Sequence, residues 1–272
     1  MNIKSNDIRS HFGLVAIPFT RELNISKRWV KPLYDEPLQA LLETLNKRMS
    51  AALIAPSGTG KTMLLRTLVE RLPEVRYRVH YIKVTSLCKS DFCRELCAAV
   101  EARPAAKFNA MVRRLDERLV NLFDEDSLRP VIIIDEAHDM RPDVLAMLRV
   151  VTNFEMDSRL VVSIILAGQS PLRQMLRRQE LESVTRRMAY YATLRLLSRD
   201  ETLQYVRHRL TIAGSKGDLF DQPAHDALYE IAGGNLRATN RLALASLEEA
   251  VRAHKQTVGA EYVAAARTKV MP

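Results

Sequence analysis

No run of apolar residues in this 272-residue chain approaches the roughly eighteen that a membrane-spanning helix needs, so no membrane span is expected. The first ten residues, Met1 to Ser10, are polar and lack the apolar stretch of a secretory signal. Together these absences set the expectation of a soluble, cytoplasmic protein with no membrane attachment. Cysteine is scarce. Cys88, Cys93 and Cys97 are the whole set, and their spacing matches neither paired zinc knuckles nor a redox C-x-x-C. Cys93 and Cys97 fall one turn apart on an expected helix, where reduced thiols pack into a core. Internal repeats and low-complexity tracts are also missing.

What is present describes a globular chain. Hydrophobic residues make up 47%, enough to fill a core and to exclude a disordered or fibrous protein. The length accommodates one large α/β domain plus a smaller helical one. The formal net charge is +9, with a pI of about 9.6. That surplus favours a polyanionic partner, nucleic acid being the simplest. A membrane surface gives the same signature, and many cytosolic proteins are basic with neither partner. The positive charge crowds at Arg173, Arg177, Arg178, Arg186, Arg187 and Arg195, whereas Asp124-Glu125-Asp126 and Asp135-Glu136 are acidic.

Periodicity orders the chain. Glu36 to Met49 reads as an amphipathic helix, with Leu38, Leu41, Leu42, Leu45 and Met49 on one face and Pro37 in its first turn. Ala51 to Ala55 is a short apolar strand, followed by a glycine-containing loop and a helix from Lys61 to about Arg71. Tyr77 to Val84 is a second strand, and two helices are expected between Ser90 and Leu122, broken near Arg103-Pro104. Val131-Ile132-Ile133-Ile134 is β-branched and too short for a helix, so it reads as a strand buried on both faces. A helix over Pro142 to Val151 and strands over Leu160 to Ala167 and Tyr190 to Leu196 complete the alternation, which implies right-handed crossovers and a parallel sheet.

Beyond Leu197 only helices are expected. Ser198 and Glu201 form a capping box three residues apart, and that helix stops at Gly214. A second runs from near Pro223 to Gly233-Gly234, a third from an Asn235 cap to about Lys255, and a short one follows Gly259. The expected domains are an α/β nucleotide-binding domain over residues 1–197 and a small all-helical lid over 198–272.

The chemistry concentrates at two places. Ala55-Pro56-Ser57-Gly58-Thr59-Gly60-Lys61-Thr62 joins a strand to a helix. Backbone N–H groups must come close to triphosphate oxygens, which glycines permit, and the helix N-terminus adds the positive end of a dipole. Lys61 would reach the β- and γ-phosphates, and the Thr62 hydroxyl would hold Mg²⁺. Ala55 stands where the G-x-x-x-x-G-K-[ST] pattern has its first glycine, a position that closes the loop without touching phosphate. Asp135 and Glu136 end the buried strand, at the edge where parallel sheets bind ligands. Asp135 would take a Mg²⁺-bound water, and Glu136 would orient and polarise the attacking water.

These two segments together resemble the AAA+ superfamily, a P-loop parallel sheet with helices on both faces and a helical lid. His11-Phe12-Gly13-Leu14 followed by Pro18-Phe19-Thr20 resembles the ExeA-type ATPases more narrowly. That group includes proteins encoded in transposons beside a DDE transposase, and it is similar to the TnsC, TniB, MuB and IstB transposition ATPases. The resemblance implies further roles. Gln169, in Gly168-Gln169-Ser170-Pro171, matches the sensor-one residue that contacts the γ-phosphate or the attacking water. Arg187 matches the arginine finger that reaches a neighbour's ATP, with the adjacent Arg186 as the alternative. Arg237 matches the lid arginine called sensor two. Phe12 and Phe19 lie in the segment that covers adenine in that family; as aromatics near a chain start they read equally as core.

A finger supplied in trans requires head-to-tail contact, hence a homo-oligomeric ring or helical filament. In the transposition relatives the filament winds on double-stranded DNA and recruits the transposase. The segment that follows the DNA there matches Lys83 to Arg114 here, and Lys89, Arg103 and Lys107 are the expected phosphate contacts, sequence-tolerant and salt-sensitive. A solvated helix face is the other reading of those charges. The secretion-associated member of the group carries a membrane span and a periplasmic domain that this sequence does not show. The expectation is therefore the transposon-borne role, with the secretion-associated ATPase as the alternative.

Overall fold

The computed structural model describes residues 5–84, 86–103, 105–155 and 158–270, with side chains from Ile8 onward. In chain order its helices and strands are α1 (Ser5–Phe12), α2 (Pro32–Asn46), β1 (Ser50–Ile54), α3 (Lys61–Arg71), β2 (Tyr77–Lys83), α4 (Lys89–Ala99), α5 (Phe108–Asp124) and β3 (Arg129–Asp135). There follow α6 (Pro142–Leu145), α7 (Leu148–Val151), β4 (Ser163–Gly168), α8 (Ser170–Leu176), α9 (Glu182–Thr185), β5 (Met188–Thr193), α10 (Arg199–Ile212), α11 (Gln222–Ala232), α12 (Leu236–Arg252) and α13 (Ala260–Val270). The contacts divide them into two compact units. A sheet unit holds Lys31–Pro56 and Leu64–Leu194; a helical unit holds the residues up to Val30, Ser57–Met63 and the chain from Arg195 on.

The sheet unit is built on five strands in the order β2-β3-β4-β1-β5. Every pairing is parallel. The three central strands are buried along almost their whole length, while the two edge strands alternate buried and exposed positions. That is the pattern of a sheet covered on both faces. Ile132, Ile134, Ile164 and Leu166 pack with Phe92 and Leu96 of α4 and Leu115 and Leu119 of α5. Ile133 and Ile165 point to the other face by strand alternation and are also fully enclosed. Cys93 and Cys97 lie in the first of these cores, and burial pushes the Cys93 thiol up to about 12, which keeps it a thiol.

The expected strands all form, with shifted ends. β5 starts at Met188 and stops at Thr193 because it pairs only with the five-residue β1, from Ser50 to Ile54. β4 begins three residues later than its apolar run, since Arg159 is engaged in an antiparallel bridge with Phe154 and Leu160 is exposed. Pro142 to Val151 becomes two one-turn helices. The break between α4 and α5 spans residues 100–107, and Pro104 lies outside the described residues.

The helical unit packs Val206, Leu210, Leu228, Leu242, Leu247 and Val263 around one centre. Ile8, Leu14 and Phe19 join the same core, so the start of the chain groups with its end. The helical unit resumes at Arg195. Local signals set the helix ends here. Ser198 accepts from the Glu201 N–H while the Glu201 carboxylate accepts from the Ser198 N–H, the reciprocal box expected from the sequence. Asp221 and Asn235 cap α11 and α12, and Gly233 closes α11 in the left-handed region.

Candidate nucleotide site

The loop between β1 and α3 belongs, from Ser57 to Met63, to the helical unit. There it is held by the start of α12. The Asn235 side chain donates from Nδ2 to the Ser57 carbonyl at 2.7 Å while its Oδ1 caps Ala238. The Arg237 N–H donates to the Gly58 carbonyl at 3.2 Å. Gly58 has φ +76°, and a Cβ there would stand 2.3 Å from the Asn235 side chain, so only glycine lets loop and helix meet. Gly60 is also left-handed, at φ +95°. Lys61 and Thr59 are enclosed, the lysine only 8% exposed, whereas Thr62 is exposed. Arg237 and Arg241, one turn apart, line a cavity of about 320 Å³ with Ser57 and Gly58. Sequence reasoning named Arg237 and took Asn235 only as a cap; nothing local says that its amide also ties the loop.

In the sheet unit the carboxyl edge collects a second set. Pairing registers Ile54 of β1 with Gly168 of β4 and with Thr193 of β5, and Ile134 of β3 with Leu166. The end of β1, which runs on through Ala55 and Pro56 into the glycine loop, is therefore level with Asp135. The Ala55 N–H donates to the Gly168 carbonyl at 3.0 Å. Asp135 is enclosed, and both its oxygens are engaged: Oδ1 accepts from the Glu136 N–H at 2.8 Å and Oδ2 from the Tyr81 hydroxyl at 2.9 Å. Burial and that carboxylate together push the Tyr81 hydroxyl up, so it remains a donor. Glu136 adopts φ 57°, ψ 32°, a left-handed conformation that costs a non-glycine residue energy and turns the chain sharply off the strand. Its carboxylate lies 3.5 Å from Nδ1 of His138, and the Gln169 N–H donates to the same nitrogen at 3.4 Å. Arg173 of α8 donates to the Thr193 hydroxyl at 2.8 Å on this edge. Tyr81, His138 and Arg173 were not singled out from the sequence as site residues, because strand order and the sharp turn bring them in.

Arg186 and Arg187 lie elsewhere. They immediately precede β5, at the amino edge of the sheet, so a strand of roughly 20 Å at about 3.3 Å per residue separates them from the edge that carries Asp135. Arg186 is exposed and pairs with Glu182 at 2.6 Å; Arg187 is half-buried and donates to the Ser183 carbonyl at 3.2 Å. Both line a cavity of about 890 Å³ with Arg48, Arg149 and Arg159.

The remaining candidates fall in both units. Phe19 is enclosed in the helical core against Phe220, with the Arg209 guanidinium above it, while Phe12 is half-buried edge to face with His11. Lys89, exposed at the start of α4, is 3.8 Å from Asp143. Arg103 and Lys107 are exposed beyond the other end of that helix, an eleven-residue element about 16 Å long. The structure thus groups Arg103 with Lys107 and sets Lys89 apart.

Residues 44–176 match the AAA domain family. The fold is that of the AAA+ P-loop ATPases. It is similar to Cdc6p of Pyrobaculum aerophilum, with a TM-score of 0.75 and 18% identity over 93% of this chain and 70% of that one. It is also similar to the Aeropyrum pernix ORC1 protein solved in complex with DNA, with a TM-score of 0.65 and 20% identity over 90% and 67%. In sequence the chain is 32% identical to General secretion pathway protein A of Aeromonas hydrophila over 235 residues. That alignment takes in 84% of this chain and 42% of the relative, so the chain spans less than half the relative's length. Among the described residues no helix is long and apolar enough to cross a membrane.

Proposed function

We propose that this chain binds ATP·Mg²⁺ on Pro56, Ser57, Gly58, Thr59, Gly60, Lys61 and Thr62 and hydrolyses it to ADP and phosphate, as a homo-oligomer in which a neighbouring copy supplies an arginine. The observation that carries the assembly is the placement of Arg186 and Arg187 at the amino edge of the sheet, with Asp135 and Glu136 at the carboxyl edge. An arginine a strand's length from its own acids serves those of a copy docked head to tail. Repetition of that contact gives a ring or a filament.

The residues suit the substrate. Two left-handed glycines open the loop backbone to phosphate oxygens, and Lys61 neutralises them. The Thr62 hydroxyl and the Asp135 carboxylate are the oxygen donors a magnesium ion takes. Glu136 orients and polarises the attacking water, and Gln169 reads the γ-phosphate at the end of β4. Arg237 from the lid and Arg187 from the neighbour stabilise the charge that develops on the phosphoryl oxygens. Phe12 and Phe19 belong to the segment proposed to cover the base.

For the partner we favour double-stranded DNA, with a transposase recruited to the assembly. The net charge of +9, the motif at His11 to Thr20 and the exposed Lys89, Arg103 and Lys107 support this reading, as does the ORC1 relative in fold that was solved on DNA. A secretion-associated ATPase is the second reading, favoured by the identity to General secretion pathway protein A. Filter binding with random duplex separates the two. Under the first reading, micromolar protein retains DNA only with ATP, and retention falls steeply between 50 and 200 mM salt, by about tenfold or more. ATP-independent retention or none removes the DNA reading and leaves the second.

A further inference from the structure

We propose that His138 is a positioning residue for Glu136, coupling the segment at Gln169 to the carboxylate that activates water. The inference rests on the ATPase reading and adds to it a link between the two sites of action.

The geometry begins with the left-handed Glu136. Its conformation starts the one-turn 3₁₀ helix Ala137–Asp139, so that the chain doubles back and sets the His138 ring beside the Glu136 carboxylate. The imidazole is sheltered, 11% exposed. Nδ1 faces two groups at once, Oε2 of Glu136 at 3.5 Å and the amide of Gln169 at 3.4 Å. Nε2 faces Asp139 at 3.7 Å. The approach is close enough to restrict the neighbouring strand, since a Cβ on Gly168 would stand 3.2 Å from the His138 backbone nitrogen and 2.9 Å from Leu172. Glycine at the end of β4 is what lets the turn lie there.

One ring nitrogen cannot serve both neighbours in the same state. With its proton on Nε2, the ring accepts at Nδ1 from the Gln169 N–H and donates nothing from that nitrogen to the Glu136 carboxylate. With a proton on Nδ1, it donates to that carboxylate and gives up the Gln169 amide. Movement of the Gln169 segment toward a γ-phosphate withdraws one of the two groups facing Nδ1 and so decides whether the ring donates to Glu136.

Side-chain replacement distinguishes the two nitrogens. His138→Asn keeps a polar atom near the Nδ1 position, whereas His138→Gln reaches toward the Nε2 position. The expected result is that His138→Ala lowers kcat about 10- to 100-fold, as loss of an orienting partner does elsewhere, with nucleotide affinity changed less than about twofold. His138→Asn is expected to recover most of that loss and His138→Gln little of it. In a Glu136→Gln background, His138→Ala should lower the residual turnover no further. Wild-type turnover in His138→Ala, equal losses in the Asn and Gln variants, or an additive loss with Glu136→Gln would overturn the coupling while leaving the ATPase reading intact. An unmodified chain that binds ATP without turning it over would overturn that reading, and the coupling with it. If His138→Ala fails to fold, the Asn and Gln pair decides by itself.

Discussion

In the helical unit, three consecutive helices begin at Ser198, Asp221 and Asn235, and each of these side chains caps a backbone N–H. In the sheet unit, α4, α5 and α8 begin at Cys88, Lys107 and Gln169, none of which caps with its side chain. Three carboxylates show a parallel contrast. Hydrogen bonds from Arg195 hold the Glu201 carboxyl down at about 2, against the effect of its partial burial. For Asp218, burial raises the pKa, but bonds from His225, Arg207 and the Phe220 amide outweigh it and leave about 2. In the sheet unit, burial and, after it, the neighbouring Glu117 charge push the Asp116 carboxyl up to about 6, and its Oδ1 has no hydrogen-bond partner among the described residues. A sheet enclosed on both faces is held by apolar area and tolerates loose polar ends, while a small helical assembly depends on each cap. The proposed labour divides along the same line: the helical unit carries the phosphate loop, and the sheet unit carries the acids.

The sharpest way to break that division is a pair of substitutions. Lys61→Ala should abolish nucleotide binding and turnover together. Glu136→Gln should keep the affinity within about threefold while turnover falls by 100-fold or more. Fluorescent-nucleotide titration and phosphate release measure both, and loss of binding in Glu136→Gln would remove the separation. Arg187→Ala should lower turnover about 1000-fold, more than Arg186→Ala, whose guanidinium is already paired with Glu182. Mixing inactive Arg187→Ala with inactive Lys61→Ala should restore part of the activity, because each supplies what the other lacks; no recovery at any ratio would argue for an arginine acting within its own chain.

The smallest expected effect is on stability against pH, and its sign differs between Asp116 and the two acids of the helical unit. Glu201 and Asp218 have depressed folded-state pKa values, so their contribution is complete above about 4.5 and is lost as pH falls toward 2. Asp116 is raised from 3.8 to about 6, so the folded chain binds the extra proton in that window and stability declines as pH rises through it. Asp116→Asn should flatten that decline without altering the acid limb. Urea titrations at a series of pH values test this. The single tryptophan, Trp29, packs against Tyr205 within the helical unit and reports on that unit's unfolding.

Legibility followed the range of the interactions. The Ser198–Glu201 box, the Asn235 cap and the run Val131 to Ile134 were readable because a cap or a buried strand is decided within a few residues. Helix α1 was not read. Its segment is mostly polar, and the enclosed Ile8 that anchors it packs on α12, more than two hundred residues away. The helix expected over Pro142 to Val151 formed as two single turns, a subdivision that apolar periodicity does not mark.

By itself, then, the sequence determined the strand–helix alternation, the glycine loop with Lys61 and Thr62, and the acidic pair after a buried strand. Each follows from backbone preferences and side-chain spacing over short stretches. Only the tertiary structure decided that Tyr81 meets Asp135, that His138 lies between Glu136 and Gln169, and that Arg186 and Arg187 stand on the far edge of the sheet. Those placements depend on the order β2-β3-β4-β1-β5 and on one left-handed residue. Strand order arises from packing across the whole unit, and no local window of sequence contains it.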